Sequence, residues 1–413
     1  MASTLALTGF GVVGVFTGLP EDMARLLGNE PHAHHLLTII IVLVPLEAFD
    51  GLLISLFASF GSPRSIFVRR YLLGPGLKLG VVLLLVGWQQ DVLFLAYGYL
   101  IATTIGVLVS AWMLLRLLAH QQLLHHCQWR TLEVRAREIF AFTLPLLLSH
   151  LLSTTMQTVS VILLGYFYPI QEVGLFRVVL PMANLITTVM ASFTLFYLPA
   201  AARLHAHHAH DELNDLYRRT AMWMAVLSFP VFAVTFALAQ PLVSWLYGTR
   251  YESSGVILAV LSVGYYLSVV LGFNALTLKA LGKLRALLLI DVVAVGANVA
   301  FNLLLIPRYG ALGAALGVAG AMIVRDVLMQ VGVYRVLGLT LFARPYGTFY
   351  LTLVGSTGIL FLIPFCGTPT YLAVLLVGLV SAGVLLVSRP HLQVAATFPE
   401  LFLRLPLLRL FFA

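Results

Sequence analysis

Twelve stretches of this chain are each about as long as a bilayer is thick and nearly free of charge, and their succession limits the fold more than any other feature. They run from 3 to 19, 37 to 60, 72 to 88, 92 to 118, 139 to 164, 173 to 200, 220 to 240, 254 to 277, 286 to 306, 311 to 333, 346 to 365 and 370 to 388. A helix rises about 1.5 Å per residue, so roughly 20 apolar residues cross the hydrocarbon core. Apolar residues are 61% of the chain and charged residues 10%, with a mean hydropathy of +1.00, far outside the range of soluble domains. The expected fold is therefore an all-α, polytopic membrane protein of about twelve spanning helices.

Charge between the stretches gives the orientation. The loops after the even-numbered stretches, with the tail, hold 17 of the 24 Lys and Arg residues, and the other loops hold 3. Short loops rich in Lys and Arg stay cytoplasmic, so both termini are expected inside a cell membrane. The net charge of +8 then suits anionic lipid headgroups rather than nucleic acid. Cys127 and Cys366 fall on opposite faces, which excludes a disulfide between them. The first stretch lacks a basic leader and a small-residue cleavage site, and reads as a retained helix.

An internal repeat organises the chain. Pro20 to Arg64 passes through Leu26-Leu27-Gly28, an apolar segment and Gly61; Pro241 to Arg285 passes through Leu246-Tyr247-Gly248, an apolar segment and Gly282. Repeated multi-helix units with a substrate site between them are a common transporter plan. The expected layout is an amino-terminal bundle over 1–118, a cytoplasmic linker over 119–138, a six-helix bundle over 139–333, two additional helices within 334–388 and an amphipathic tail over 389–413. If the repeat is complete, the first bundle is two helices shorter than the second.

Around the ninth and tenth stretches, Asn298, Asn302, Ile306-Pro307-Arg308-Tyr309-Gly310, Gly313 and Ala314-Ala315 form a hallmark pattern. It is joined by Leu164-Gly165-Tyr166-Phe167, Glu172-Val173-Gly174-Leu175-Phe176-Arg177-Val178, Pro199-Ala200, Leu246-Tyr247-Gly248 with Tyr251, and Leu281-Gly282-Lys283. In order and spacing these resemble the polysaccharide biosynthesis membrane proteins, which are lipid-linked oligosaccharide flippases of the multidrug/oligosaccharidyl-lipid/polysaccharide superfamily. Matched to the fourteen-helix form of that family, the chain starts at the third helix. It also has Ser160 where an acidic residue often stands.

The resemblance implies a transporter that carries a polyprenyl-phosphate or diphosphate oligosaccharide from the cytoplasmic to the outer leaflet. It acts by alternating access within membrane lipid, alongside polysaccharide assembly proteins, with H+ or Na+ as a candidate coupling ion. No covalent bond changes in that process, so neither a catalytic residue nor a cofactor is expected. The sequence carries no nucleotide-binding loop, serine-hydrolase elbow or zinc-protease pair. His205, His207, His208 and His210, like His32, His34 and His35, read as solvated loop residues.

Charges inside spanning helices are costly and usually face a cavity or a partner. Glu47 and Asp50 share one helical face and lie about 16–20 Å from the outer end; they suit either ion coupling or pairing with a neighbouring helix. Arg177, Arg325 and Lys78 suit phosphate oxygens of the implied substrate, although Arg325 has Asp326 beside it. Arg116 is placed to snorkel, and Lys279, Lys283 and Arg285 make a basic inner rim that suits first capture of a lipid phosphate and is equally explained by the positive-inside rule. Ser149, Ser153 and Gln157, flanked by His150, Thr154 and Thr158, form a polar stripe that either lines water or bonds another helix. Asn274 and Asn184 extend the stripe if their faces turn inward. Gly310, Gly313, Gly317 and Gly320 point to close helix packing. Other open readings are a cation-coupled drug exporter of the same superfamily, a membrane glycosyltransferase or polymerase, and an inactive scaffold.

Overall fold

The computed structural model describes residues 31–59, 67–88, 92–120, 136–341, 347–363 and 369–392. The first apolar stretch, most of the 119–138 linker, both cysteines and the tail beyond 392 lie outside them. The described residues are helical throughout, with short turns and no strand. The chain divides into two compact units, residues 1–134 and 135–413.

In the first unit, α1 spans Pro31–Ser59, α2 Gly74–Trp88 and α3 Val92–His120, with a π-helical turn, Val68–Leu73, leading into α2. Leu53 and Phe57 of α1 bury against Val107 and Leu114 of α3. Helices α2 and α3 meet at Gly98, where a Cβ would lie 2.2 Å from Val81. Gly98 is thus required by contact rather than by backbone conformation.

The second unit contains α4 (Ala136–Phe167), α5 (Ile170–Asn184), α6 (Thr188–Ala206), α7 (His210–Ala237), α8 (Ala239–Tyr247), α9 (Ser254–Val270) and α10 (Asn274–Ala280). A helical stretch, Leu284–Leu337, follows, and then α13 (Gly347–Leu362) and α14 (Thr370–Leu392). Helix α7 is the centre: Tyr217, Ala221 to Val226, Phe229 and Phe232 are all buried, and α6, α9, α13 and α14 pack around it. The sixth apolar stretch, read as one helix, is interrupted by a 3-10 turn at Leu185–Thr187, four residues beyond Pro181. The seventh begins at His210 rather than 220, because Asp211 and Glu212 occupy its first turn, where carboxylates favour the helix dipole.

Leu284–Leu337 is two helices with a break at Gly310, whose φ of 56° and ψ of −130° suit glycine alone. The arms are α11 (284–309) and α12 (311–337). They return antiparallel in close contact: a Cβ on Gly313 would lie 2.3 Å from the Leu305 carbonyl oxygen, and one on Gly317 2.7 Å from Asn302 Oδ1. The turn is held from outside the hairpin. Glu172 Oε2 accepts from the Ala311 amide at 3.3 Å, and the Tyr168 hydroxyl donates to the Pro307 carbonyl at 3.2 Å. The Glu172 carboxylate therefore sits at the amino end of α12, where it satisfies a free amide and complements the dipole. Glycine also closes the repeat landmarks of this half, with φ of 86° at Gly248 and 68° at Gly282.

Seven helices among the described residues are long and apolar enough to cross a membrane, the hairpin counting as one, and α2 and α13 are shorter apolar helices. Leu83, Leu108, Trp112, Ile162, Leu289, Leu304, Leu351 and Val354 are exposed. A soluble domain rarely shows that much apolar surface, whereas a lipid-facing one must. The protein is an all-α, multi-pass membrane protein.

Candidate functional site

The first unit holds a cavity of about 360 Å³ lined by Glu47, Asp50, Ile54, Arg69, Gly74, Pro75, Lys78, Ala102 and Thr103. Pro45, five residues before Asp50, cannot donate to the helix ladder, and Glu47 and Asp50 emerge from α1 on the same side. Lys78 Nζ lies 3.0 Å from Glu47 Oε1, with its ammonium 5.8 Å from the centre of the Tyr99 ring. Arg69 reaches Asp50 Oδ1 with Nη2 at 2.7 Å and Nε at 2.8 Å.

The two pairs differ in burial. The Arg69 and Asp50 side chains are 6% and 20% exposed, and those of Lys78 and Glu47 are 43% and 52% exposed. The first is therefore the stronger electrostatic contact, because solvent screens the second. Gly106 on α3 makes room for the arginine: a Cβ there would lie 2.7 Å from both Nη1 and Nη2. Thr103 Oγ1 is buried with no hydrogen-bond partner, whereas the neighbouring Thr104 bonds back to the Leu100 carbonyl. A cavity wall thus carries two cations, two carboxylates and an unused hydroxyl.

The second unit has a polar network along α4, α11 and α12. Asp291, 1% exposed, accepts from Arg325 Nε at 2.8 Å and from the Ser149 hydroxyl at 2.6 Å. Asp326 lies 3.9 Å from Arg325 and accepts from Ser268. Further along, Asn302 Nδ2 donates to Ser160 Oγ at 2.9 Å and to the Asn298 carbonyl at 2.7 Å. All three of these side chains are fully buried.

The polar stripe of α4 therefore divides. Ser149 faces α11, as does Ser160 beyond the stripe; His150, Gln157, Thr154 and Thr158 are exposed, and Ser153 and Thr154 bond back to the His150 carbonyl. Asn274 is buried and bonded to Tyr217, which also contacts Gln330 at 2.8 Å. Tyr217 has one proton to give; turning the Asn274 amide lets its otherwise unpartnered Nδ2 donate instead. Asn274 ties α10 to α7, and Tyr217 ties α7 to α12.

Arg177 and Asn184 are exposed on α5, Lys279 is half-buried at the end of α10, and Lys283 is exposed where α11 begins. Arg116 lies over the Trp112 ring at 4.6 Å. His207 and His208 are exposed between α6 and α7, and the His205 and His210 rings are 6.4 Å apart. Among the described residues no group of three or more His, Cys, Asp or Glu is placed to hold a metal. Side chains of the other histidine group lie outside the description.

Two important residues escaped the sequence reading. Arg69 is counted there only among the 17 basic residues that set the orientation, and the π-helical turn is what carries it back to Asp50. Asp291 stands alone in an apolar run; the rule that isolated intramembrane charges have partners was signal enough to single it out.

The family described as polysaccharide biosynthesis protein matches residues 4–256. The Staphylococcus aureus capsular polysaccharide biosynthesis protein CapF is 26% identical over 180 residues, 44% of this chain, so the match spans about half that relative's length, 46%. A mutant of the Vibrio cholerae MATE transporter VcmN superposes with a TM-score of 0.54 at 16% identity, over 80% of this chain and 78% of the other. A MATE structure in its straight conformation gives 0.53 at 17% identity, over 81% and 78%. These likenesses establish the fold. With the match covering well over half of its length, the chain belongs to the polysaccharide biosynthesis protein family.

Proposed function

We propose that the protein is a flippase that moves a polyprenyl-phosphate or diphosphate-linked oligosaccharide from the cytoplasmic to the outer leaflet of the cell membrane, both termini being cytoplasmic. The observation that carries this reading is the cavity of the first unit, where Arg69, Lys78 and the unpartnered Thr103 hydroxyl stand together on a wall. Moving such a lipid requires replacing water around the sugar and phosphate groups, each costing several kcal/mol if left bare. Guanidinium, ammonium and hydroxyl are donors only or donors by choice, which suits phosphate oxygens. Family membership and the relative's capsular polysaccharide role support the same cargo. The lipid tail stays in the bilayer while the headgroup passes.

Benzophenone-tagged farnesyl diphosphate tests the site directly. Irradiation of the full chain in nanodiscs is expected to label peptides within 67–106, with inorganic pyrophosphate competing. Gly106→Val, which takes the space of the Arg69 guanidinium, is expected to reduce labelling about tenfold, the loss of one charge-assisted contact. Equal labelling of both proteins, or labelling spread over all helices, would count against this cavity.

A further inference from the structure

The four charged side chains of the cavity cancel: Glu47 and Asp50 balance Lys78 and Arg69. Among the described residues an anionic headgroup finds no free cation there and must take Arg69 or Lys78 from its carboxylate. A carboxylate that loses its cation in a desolvated site takes up a proton rather than stay charged. We propose that this cavity binds the phosphate headgroup and a proton together, the proton going to the carboxylate that the headgroup displaces. The inference rests on the reading of the cavity as a phosphate site and adds the sign of its coupling to protons.

Asp50 is the principal acceptor. Its partner Arg69 is nearly buried and fixed against Gly106, so a headgroup that recruits this guanidinium leaves Asp50 with little water to compensate. Glu47, half exposed, keeps solvent when its ammonium turns away. Among the described residues the titratable and charged groups facing the two acids are Arg69 on the π-helical turn, Lys78 on α2 and, behind Lys78, Tyr99 on α3. Thr103 supplies the neutral contact: its buried hydroxyl bonds nothing else and is free to serve a phosphate oxygen or a newly protonated carboxyl.

The sign has a consequence for energetics. If headgroup and proton enter together from the cytoplasm, outward transport carries a proton out as well. An inward proton gradient acting through Glu47 and Asp50 would then oppose export, and the drive must come from substrate supply or another ion.

The test is calorimetric titration of the full chain in phosphatidylcholine nanodiscs with farnesyl diphosphate, in buffers of different ionisation enthalpy. The ligand's own phosphate also titrates, so the reading is the difference between the native chain and Asp50→Asn. We expect about one more proton taken up per ligand by the native chain. Native affinity should rise up to about tenfold per unit fall in pH. Asp50→Asn should flatten that dependence and bind more tightly than native at pH 8, having lost the competing charge. Glu47→Gln, at the more exposed pair, provides a second comparison with a smaller change of the same sign; both variants are first checked for native elution. Displacement by inorganic pyrophosphate with the same proton count supports recognition of the diphosphate itself. Displacement by phosphatidylglycerol in the disc without proton uptake overturns the proposal in favour of bulk lipid headgroups. Saturable binding with identical proton counts in native, Asp50→Asn and Glu47→Gln overturns co-binding while leaving the phosphate site standing. Absence of saturable binding to either diphosphate in all three proteins overturns both.

Discussion

Gly313→Ala is expected to destabilise the protein by about 3 kcal/mol or more, because the added methyl group meets backbone rather than a side chain that can turn away. The Leu305 carbonyl oxygen and carbon would lie 2.3 and 2.5 Å from it and the Ile306 nitrogen 2.9 Å, so α11 and α12 must separate. Separation also loosens the contact of Gly317 with Asn302 and the bonds from Asn302 to Ser160. The control is Gly296→Ala on α11, where a Cβ meets nothing within 4 Å. There the gain in helix propensity is worth about 0.5–1 kcal/mol in the stabilising direction. Opposite shifts in the thermal transition of the detergent-solubilised proteins are the expected result. Equal small shifts would show that the arms are not in backbone contact.

Arg325→Leu is expected to cost about 3–5 kcal/mol, the usual penalty for removing one member of a buried ion pair. Asp291, 1% exposed, would keep only the Ser149 hydroxyl, and a single neutral donor does not compensate a buried carboxylate. Asp291→Leu with Arg325→Leu should recover much of the loss but not all, since Asp326 also loses a cation at 3.9 Å. A double-mutant cycle on thermal or denaturant unfolding isolates the pair. Additive single effects would mean that the contact contributes nothing. This expectation also separates Arg325 from the cavity cations: its replacement should lower stability before it lowers headgroup binding.

Apolar runs located most of the described helices within a few residues, because desolvation acts on each run independently of the rest; the seventh instead starts ten residues early at His210 and the sixth is broken at Leu185–Thr187. The hairpin break was legible at Gly310, with its proline three residues before, and the glycine spacing of α12 announced close packing. The polar pairings were not legible. Arg69 and Asp50 are 19 residues apart, Lys78 and Glu47 31, Arg325 and Asp291 34, and Ser149 and Asp291 142. No helical periodicity spans such distances; they are set by how helices pack. The candidate phosphate ligands divided accordingly. Lys78 lies in the cavity and Arg325 is held by Asp291, while Asn274 is taken up by Tyr217. Arg69, with the largest part in the site, was hidden by an irregular turn that prolongs α2 toward its amino end.

Two of the resemblance motifs have a plain structural reading. Glu172 and the Pro307 to Ala311 turn meet at one place, where a carboxylate caps the returning helix. These two motifs thus build a single stapled corner of the fold.

The most direct measurement is translocation in proteoliposomes containing the purified full chain and a short-chain polyprenyl diphosphate oligosaccharide, with an enzyme that cleaves only the glycan of the outer leaflet. The account requires a fraction of substrate beyond the initially accessible half to become cleavable in native vesicles. Arg69→Met should slow that rate about tenfold or more, as expected for one charged contact to phosphate, while Arg177→Met, on an exposed surface, should not. Vesicles in which native protein exposes no more substrate than empty liposomes, or in which Arg69→Met transports at the native rate, would contradict it.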